Sequence, residues 1–193
     1  MKIDRRLLAY LSAGFILATV IGTLTHELGH YIMARVLGYH AFLNYYSSSY
    51  FLIPDRPSSS RDSFLIAVSG PLETILTGTI GFAFLYVNRR KLSGAAALSF
   101  SQWIFIFLSL FWLRQTANFL LYLVQYFPAG NVSVKWDEIK ISRYMRLPDM
   151  AIACITAIIG ALVLAVIIFK FIPKQQRLTF ILAGAALLER FHW

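Results

Sequence analysis

The stretch THELGHY, residues 25–31, places ionisable residues inside an apolar run that extends from Leu7 to Leu37. Two imidazoles and a carboxylate are energetically costly there, so they predict a functional site. Residues four apart in a helix lie on one face, and His26 and His30 can therefore bind one metal ion together. Glu27 lies beside them, where its carboxylate can accept a proton from a metal-bound water. Zinc is the metal that H-E-x-x-H helices typically bind.

The composition is typical of an integral membrane protein. Of the 193 residues, 58% are hydrophobic and 14% are charged, whereas soluble domains carry about 25% charged residues. The net charge of +9 does not indicate a nucleic-acid partner, because the basic residues flank the apolar runs. We expect a single multi-pass domain over residues 1–193, in the lipid bilayer of a cell membrane. A cleaved signal peptide is excluded because its removal would discard the motif.

Four long apolar segments predict an all-α polytopic fold. The run from Leu7 to Leu37 would form a helix of roughly 46 Å, which exceeds the ~30 Å hydrocarbon core of a bilayer. The expected helices cover about 7–37, 63–87, 95–127 and 149–172, with Asp149 as a helix N-cap, and a half-inserted helix follows over 178–190. Aromatic and serine residues between His40 and Ile53 predict a small β-hairpin or re-entrant segment after the first helix.

The third metal ligand is not part of the motif. A catalytic zinc site usually has three protein ligands and one water. We expect His40 to be a turn or interfacial residue instead of a ligand, and His192 to be an interfacial one. The alternation of spans brings the start of the second helix and the segment after the third helix to the same membrane face as the motif. Asp137 and Glu73 are therefore both candidates. Glu73 is alternatively the ion-pair partner of Arg114, a cation within the third apolar segment.

The sequence resembles the site-2 protease family of intramembrane zinc metalloproteases over about Leu7 to Ile141. The resemblance rests on the run HELGHYIMARVLG, on SGPL at residues 69–72, and on an aspartate after the third helix. It implies one zinc ion per chain, with site residues in these roles: His26, His30 and Asp137 as ligands, Glu27 as general base, Asn118 as a contact to the substrate or its oxyanion, and Gly70 and Pro71 lining the substrate site. The proline itself predicts an interruption of the second helix at residues 69–71, where Pro71 either kinks the helix or begins it. In that family glycine commonly follows the aspartate, whereas this chain has Glu138.

The resemblance also implies the substrate and the architecture. The substrate would be another membrane protein, cleaved in or near a transmembrane segment. Because a helical substrate hides its amides, it must unwind locally, and the Tyr- and Ser-rich segment 43–52 of this chain is a candidate edge strand that would hold it extended. The chain would be a minimal core without an appended PDZ- or CBS-like domain. Two other functions stay open: a membrane metal-binding or transport protein, and a membrane zincin of another family that uses Glu73 as third ligand. The positive-inside rule predicts a cytoplasmic N-terminus, whereas the resemblance predicts a zinc site nearer the cytosol.

Overall fold

The computed structural model describes residues 3–45, 47–51, 59–93, 95–129 and 136–190. Its fold is mostly helical, as the sequence predicts. The helices are α1 (Arg5–Val36), α2 (Ser60–Val87), α3 (Arg89–Ser93), α4 (Phe100–Ser109), α5 (Leu113–Ala129), α6 (Asp137–Tyr144), α7 (Ala151–Val166) and α8 (Lys174–Arg190). Four segments in the described part of the chain are long and apolar enough to cross a membrane: Arg5–Val36, Ser60–Val87, Phe100–Val124 and Ala151–Phe171.

The predicted hairpin is confirmed. Strands β1 (His40–Leu43) and β2 (Ser48–Phe51) pair antiparallel, with His40 opposite Phe51. Aromatic rings stabilise the pair, since Phe42 contacts Phe51 edge-on with centroids 5.8 Å apart. Tyr46 and residues 52–58, which include parts of the predicted edge strand and loop, lie outside the described residues.

Helix α2 is longer than the sequence predicts and runs without interruption through Pro71. It begins at Ser60 because the Ser59 side chain accepts a hydrogen bond from the Arg61 backbone N–H, which satisfies one of the free donors of the first turn. Pro71 therefore does not begin the helix, which is continuous through residues 69–71. A proline has no N–H to donate to the helix, and at this point α2 packs against α1.

The third apolar segment starts later than predicted and is divided. Ser99 and Gln102 form a reciprocal capping box that begins α4 at Phe100 rather than near residue 95. A short 3-10 turn, Leu110–Trp112, then separates α4 from α5. The segment after α5 is also not purely a loop, because Asp137–Tyr144 forms α6.

The fourth apolar segment is capped differently from the prediction. Helix α7 begins at Ala151, and no side chain caps its N-terminus. Asp149 accepts two hydrogen bonds from the Arg143 guanidinium instead, at 2.9 and 2.7 Å, so its prediction as an N-cap is wrong. A bidentate pair with arginine is a stronger interaction than a bond to one backbone N–H. The helix ends in a π turn, Ile167–Phe171, and α8 then begins at Lys174, four residues earlier than predicted.

The apolar core lies at one end of the bundle, and the buried ionisable side chains His26, His30, Asp62 and Glu138 lie at the other. The core gathers residues from the N-terminal half of α1, the C-terminal end of α2, α4, the turn after α7, and α8, with Leu11, Phe15, Leu85, Trp103, Ile106, Ile167, Phe171 and Phe180 among its members. Beyond it, α1 packs closely on α2 through Gly29. A Cβ atom there would lie 2.7 Å from the Ser69 carbonyl oxygen, so only glycine permits this approach.

Candidate metal centre

His26 and His30 turn their rings toward each other in the interior of the bundle. Both side chains are buried, and their Nε2 atoms are 3.2 Å apart. This is the outcome that the spacing of four residues predicts for one helix face. Together with Glu27 they form a group whose ligand atoms all lie within 4.8 Å of one another and which could hold a metal ion.

Helix α2 fixes the orientation of both rings through their Nδ1 atoms. His30 Nδ1 lies 2.6 Å from the carbonyl oxygen of Ile66, which can only accept, so the ring carries its proton on Nδ1. Thr74 donates its hydroxyl proton to the Gly70 carbonyl and accepts from His26 Nδ1 at 2.9 Å. In both neutral rings the Nε2 lone pair is therefore free. Two lone pairs that face each other at this distance favour a shared cation, and such hydrogen bonds typically orient metal-binding histidines.

Asp137, the first residue of α6, completes a triangle of ligand atoms. Its Oδ2 atom lies 3.0 Å from His30 Nε2 and 3.5 Å from His26 Nε2. A tetrahedral zinc ion with ligands at about 2.0 Å holds them about 3.3 Å apart, so the three distances fit such an ion. Burial by itself would raise the pKa of Asp137, but its contacts with the two histidines and the charge of Lys140 lower it and keep the carboxylate ionised.

Gly70 lies against the two histidine rings. A Cβ atom at this position would be 2.3 Å from His30 Nε2 and 2.8 Å from His26 Nε2. These lengths are close to metal–ligand distances, so the missing side chain leaves space where an ion would contact both nitrogens. The sequence predicts Gly70 and Pro71 to line the substrate site. The structure places Gly70 at the centre itself and Pro71 buried within α2.

Asn118 reaches α6 but not the histidines. Its Nδ2 donates to Oε1 of Glu138 over 3.5 Å. Sequence reasoning assigned no role to Glu138, which is buried beside Asp137. Burial raises the pKa of Glu138, while the hydrogen bond from Asn118 lowers it. One feature of the sequence could have identified Glu138. It places a charged residue directly after Asp137, where the site-2 protease family commonly has glycine.

Glu73 and Arg114 do not form the predicted ion pair. Glu73 accepts a hydrogen bond from Thr77 through Oε1, and its Oε2 is buried without a hydrogen-bond partner among the described residues. Arg114 instead donates to Thr23 on α1, over 3.5 Å. Among the contacts of the described residues, Glu73 makes none with the histidine nitrogens, whereas Asp137 contacts both. The geometry therefore favours Asp137 as third ligand.

His40 lies away from the metal centre. His40 is an exposed residue of β1, paired with Phe51 across the hairpin. His192 lies outside the described residues.

Comparisons of the chain with models of known protein families, with curated proteins and with solved structures find no match in any of the three.

Proposed function

We propose that this chain is a multi-pass membrane protein and a zinc metalloendopeptidase that cleaves other membrane proteins in or near their transmembrane segments. The observation that carries the proposal is the triangle of two Nε2 atoms and Oδ2 of Asp137, with edges of 3.0 to 3.5 Å. It lies among helices that are long and apolar enough to cross a membrane. The resemblance to the site-2 protease family supports the same function.

His26, His30 and Asp137 would hold one zinc ion per chain. Two imidazoles and a carboxylate are a usual donor set for catalytic zinc, with a fourth position left for water or substrate. When bound, zinc lowers the pKa of a water molecule to about 7 and polarises a carbonyl group. The ring orientations set by Thr74 and Ile66 would direct both lone pairs into the site before any ion arrives.

Glu27 would transfer the protons. Its ligand atom is within 4.8 Å of those of His26 and His30, a separation that one water molecule can bridge. The carboxylate would accept a proton from the attacking water and pass it to the leaving amine. The amide thereby becomes a carboxylic acid and an amine at the cost of one water, with no other reactant.

The substrate would have to be extended where it is cleaved, because a helix conceals its amide groups within its own hydrogen bonds. The hairpin offers a place for such a segment. Among the described residues it has two strands, so each of them keeps one edge whose backbone groups are not paired within the described sheet. A substrate strand added to that edge would gain main-chain hydrogen bonds beside α1, which both strands contact.

A transport role has less support. A transporter needs ionisable groups along a path through the bundle. Here an apolar cluster that includes Leu11, Trp103 and Ile106 fills the bundle at the end opposite the histidines. An ionisable cluster at one end of the bundle interior, with an apolar cluster at the other end, supports hydrolysis more than transport.

The experiment compares wild type, Glu27→Gln and the matched control Asp149→Asn in proteoliposomes that contain membrane-protein extracts. New N-termini are identified by amine labelling, and zinc per chain is measured by metal analysis. We expect wild type and the control to generate cleavage sites in or near transmembrane segments. Glu27→Gln should generate none while retaining one zinc ion. Cleavage by Glu27→Gln at the wild-type rate, or wild type without zinc, would refute the proposal.

A further inference from the structure

Arg114 is a cation inside one of the four apolar segments, and few of its donors are used. The guanidinium has five N–H donors. In the described part of the chain its one hydrogen bond is the 3.5 Å contact from NH1 to Thr23 Oγ1, and its Nε is buried without a partner. Burying a charged donor without a partner is costly, so its retention in such a segment indicates a function.

The charge of Arg114 interacts with the carboxylates of the metal centre at longer range. Glu27, Glu138, Asp137 and Glu73 all act on the guanidinium in this way. Thr23, its hydrogen-bond partner, lies one helical turn before Glu27, and residues four apart in a helix are neighbours on its surface. The guanidinium therefore lies on the side of the centre where the general base is found.

Neutralising these carboxylates does not by itself explain the geometry of Arg114. An arginine that serves only as a counter-ion for a buried carboxylate would bond to it directly, usually through two parallel N–H···O bonds. No such pair with an oxygen within 4.0 Å of Arg114 is formed among the described residues. The N–H groups of Arg114 that make no hydrogen bond among the described residues can therefore donate to an acceptor atom on a bound ligand.

We propose that Arg114 is a catalytic residue that binds the carbonyl oxygen of the scissile peptide and stabilises the negative charge that develops there. This inference rests on the proposed function and deepens it. It assigns to Arg114 the role that the resemblance implies for Asn118. Arg114 lies one turn earlier on the same face of α5, and the Asn118 amide already donates to Glu138. A fixed charge is also the stronger donor to a developing oxyanion.

The test uses three variants of the full-length chain: Arg114→Gln, Arg114→Lys and, as matched control, Arg89→Lys. Arg89 lies exposed beyond α2, where it contacts Tyr86. For each variant we measure kcat, KM and their pH profiles on a cleaved peptide. We also measure the Kd of the phosphinic analogue of that peptide, whose anionic tetrahedral group mimics the charged oxygen, and the zinc content per chain.

Arg114→Gln should lower kcat about 100- to 1,000-fold, the usual effect of removing one oxyanion donor, and should weaken the phosphinic analogue by a similar factor. Zinc content, KM and the pH optimum should not change, and Arg114→Lys should recover part of the loss. A shifted pH profile with unchanged analogue affinity would show that Arg114 acts only on the ionisation of Glu27, which overturns the proposal. Loss of zinc in both Arg114 variants would overturn it as well. Absence of cleavage by wild type refutes the proposed function itself, a distinct outcome.

Discussion

Replacing Gly70 with alanine should strongly weaken zinc binding without unfolding the protein. The new Cβ would lie 2.3 Å from His30 Nε2 and 2.8 Å from His26 Nε2. Ordinary contact is about 3.5 Å, so the methyl group would be about 1.2 Å too close to the nearer nitrogen. Either the methyl group occupies the position of the ion, or the His30 ring turns away and loses its 2.6 Å bond to the Ile66 carbonyl.

The magnitude follows from these two outcomes. Losing the hydrogen bond that orients one ligand weakens metal binding about 10- to 100-fold. Displacing the ion from both nitrogens costs more, so the Kd for zinc should rise at least about 100-fold, or about 2.8 kcal/mol. The effect on the free energy of unfolding should be smaller. Overpacking costs about 1–3 kcal/mol, and alanine recovers about 1 kcal/mol of helix propensity.

The assay is competition for zinc with a chromophoric chelator, combined with thermal unfolding in detergent. Two control variants separate an effect on the metal site from the general effect of adding a methyl group to a packed helix. Gly22 lies on α1, the same helix as His26 and His30. Gly22→Ala adds a methyl group there at an ordinary contact distance of 3.5 Å from the Phe111 ring. Gly81→Ala creates a comparable overlap, 2.6 Å from the Ser109 backbone nitrogen, on α2 but remote from the histidines. Wild-type zinc affinity in Gly70→Ala, or equal loss in Gly81→Ala, would refute the reasoning.

Three further predictions concern the supports of the centre. Asp137→Asn should lose bound zinc by metal analysis while Glu73→Gln retains it, because Asp137 contacts both ligand nitrogens, and the reverse result would make Glu73 the third ligand. Thr74→Val should weaken zinc binding about 10- to 100-fold in chelator competition, since the first histidine loses the acceptor for its Nδ1 proton, and unchanged affinity would contradict this. The hydrogen bond from Arg143 lowers the pKa of Asp149, so this pair stabilises the fold above the ordinary carboxyl pKa of about 3.9 and the contribution is lost as the pH falls through the lowered value. Arg143→Gln should therefore reduce Tm slightly at neutral pH but not where the carboxylate is protonated, and an equal reduction at both would contradict the pairing.

The sequence predicts the parts of the centre that depend on local geometry. The histidine pair follows from a spacing of four in one helix, and the number of apolar segments follows from their length and composition. The contact of Asp137 with His30 joins residues 107 apart, and the sequence pointed to Asp137 only through the alternation of spans and the family resemblance. No periodicity could identify Thr74 or the Ile66 carbonyl as supports, because both act across the α1–α2 interface and depend on its register.

The errors in helix boundaries have a similar origin. Asp149 has the side chain of a helix cap and precedes an apolar run, so the sequence favours it for that role. Arg143 offers it a better partner once α6 has folded. Proline at position 71 predicts a kink or a helix start, but the helix begins at Ser60 and is continuous through the region where α1 packs on it at Gly29. In each case a contact between elements outweighs a local preference.

His30 and Asp137 are 107 residues apart in the sequence. Their contact therefore closes a loop that is longer than half the chain. In the chain-entropy model, a cross-link that closes about 100 residues removes about 4.7 kcal/mol of freedom from the unfolded state. An ion bound by both residues would act as such a cross-link, joining the α1–α2 pair to a helix of eight residues that is too short to persist alone. Chelation would then release α6 from the pair while every long helix stays intact. Loss of the ion would be a loss of tertiary connection, measurable as faster amide exchange in Asp137–Tyr144 with little change in helix content.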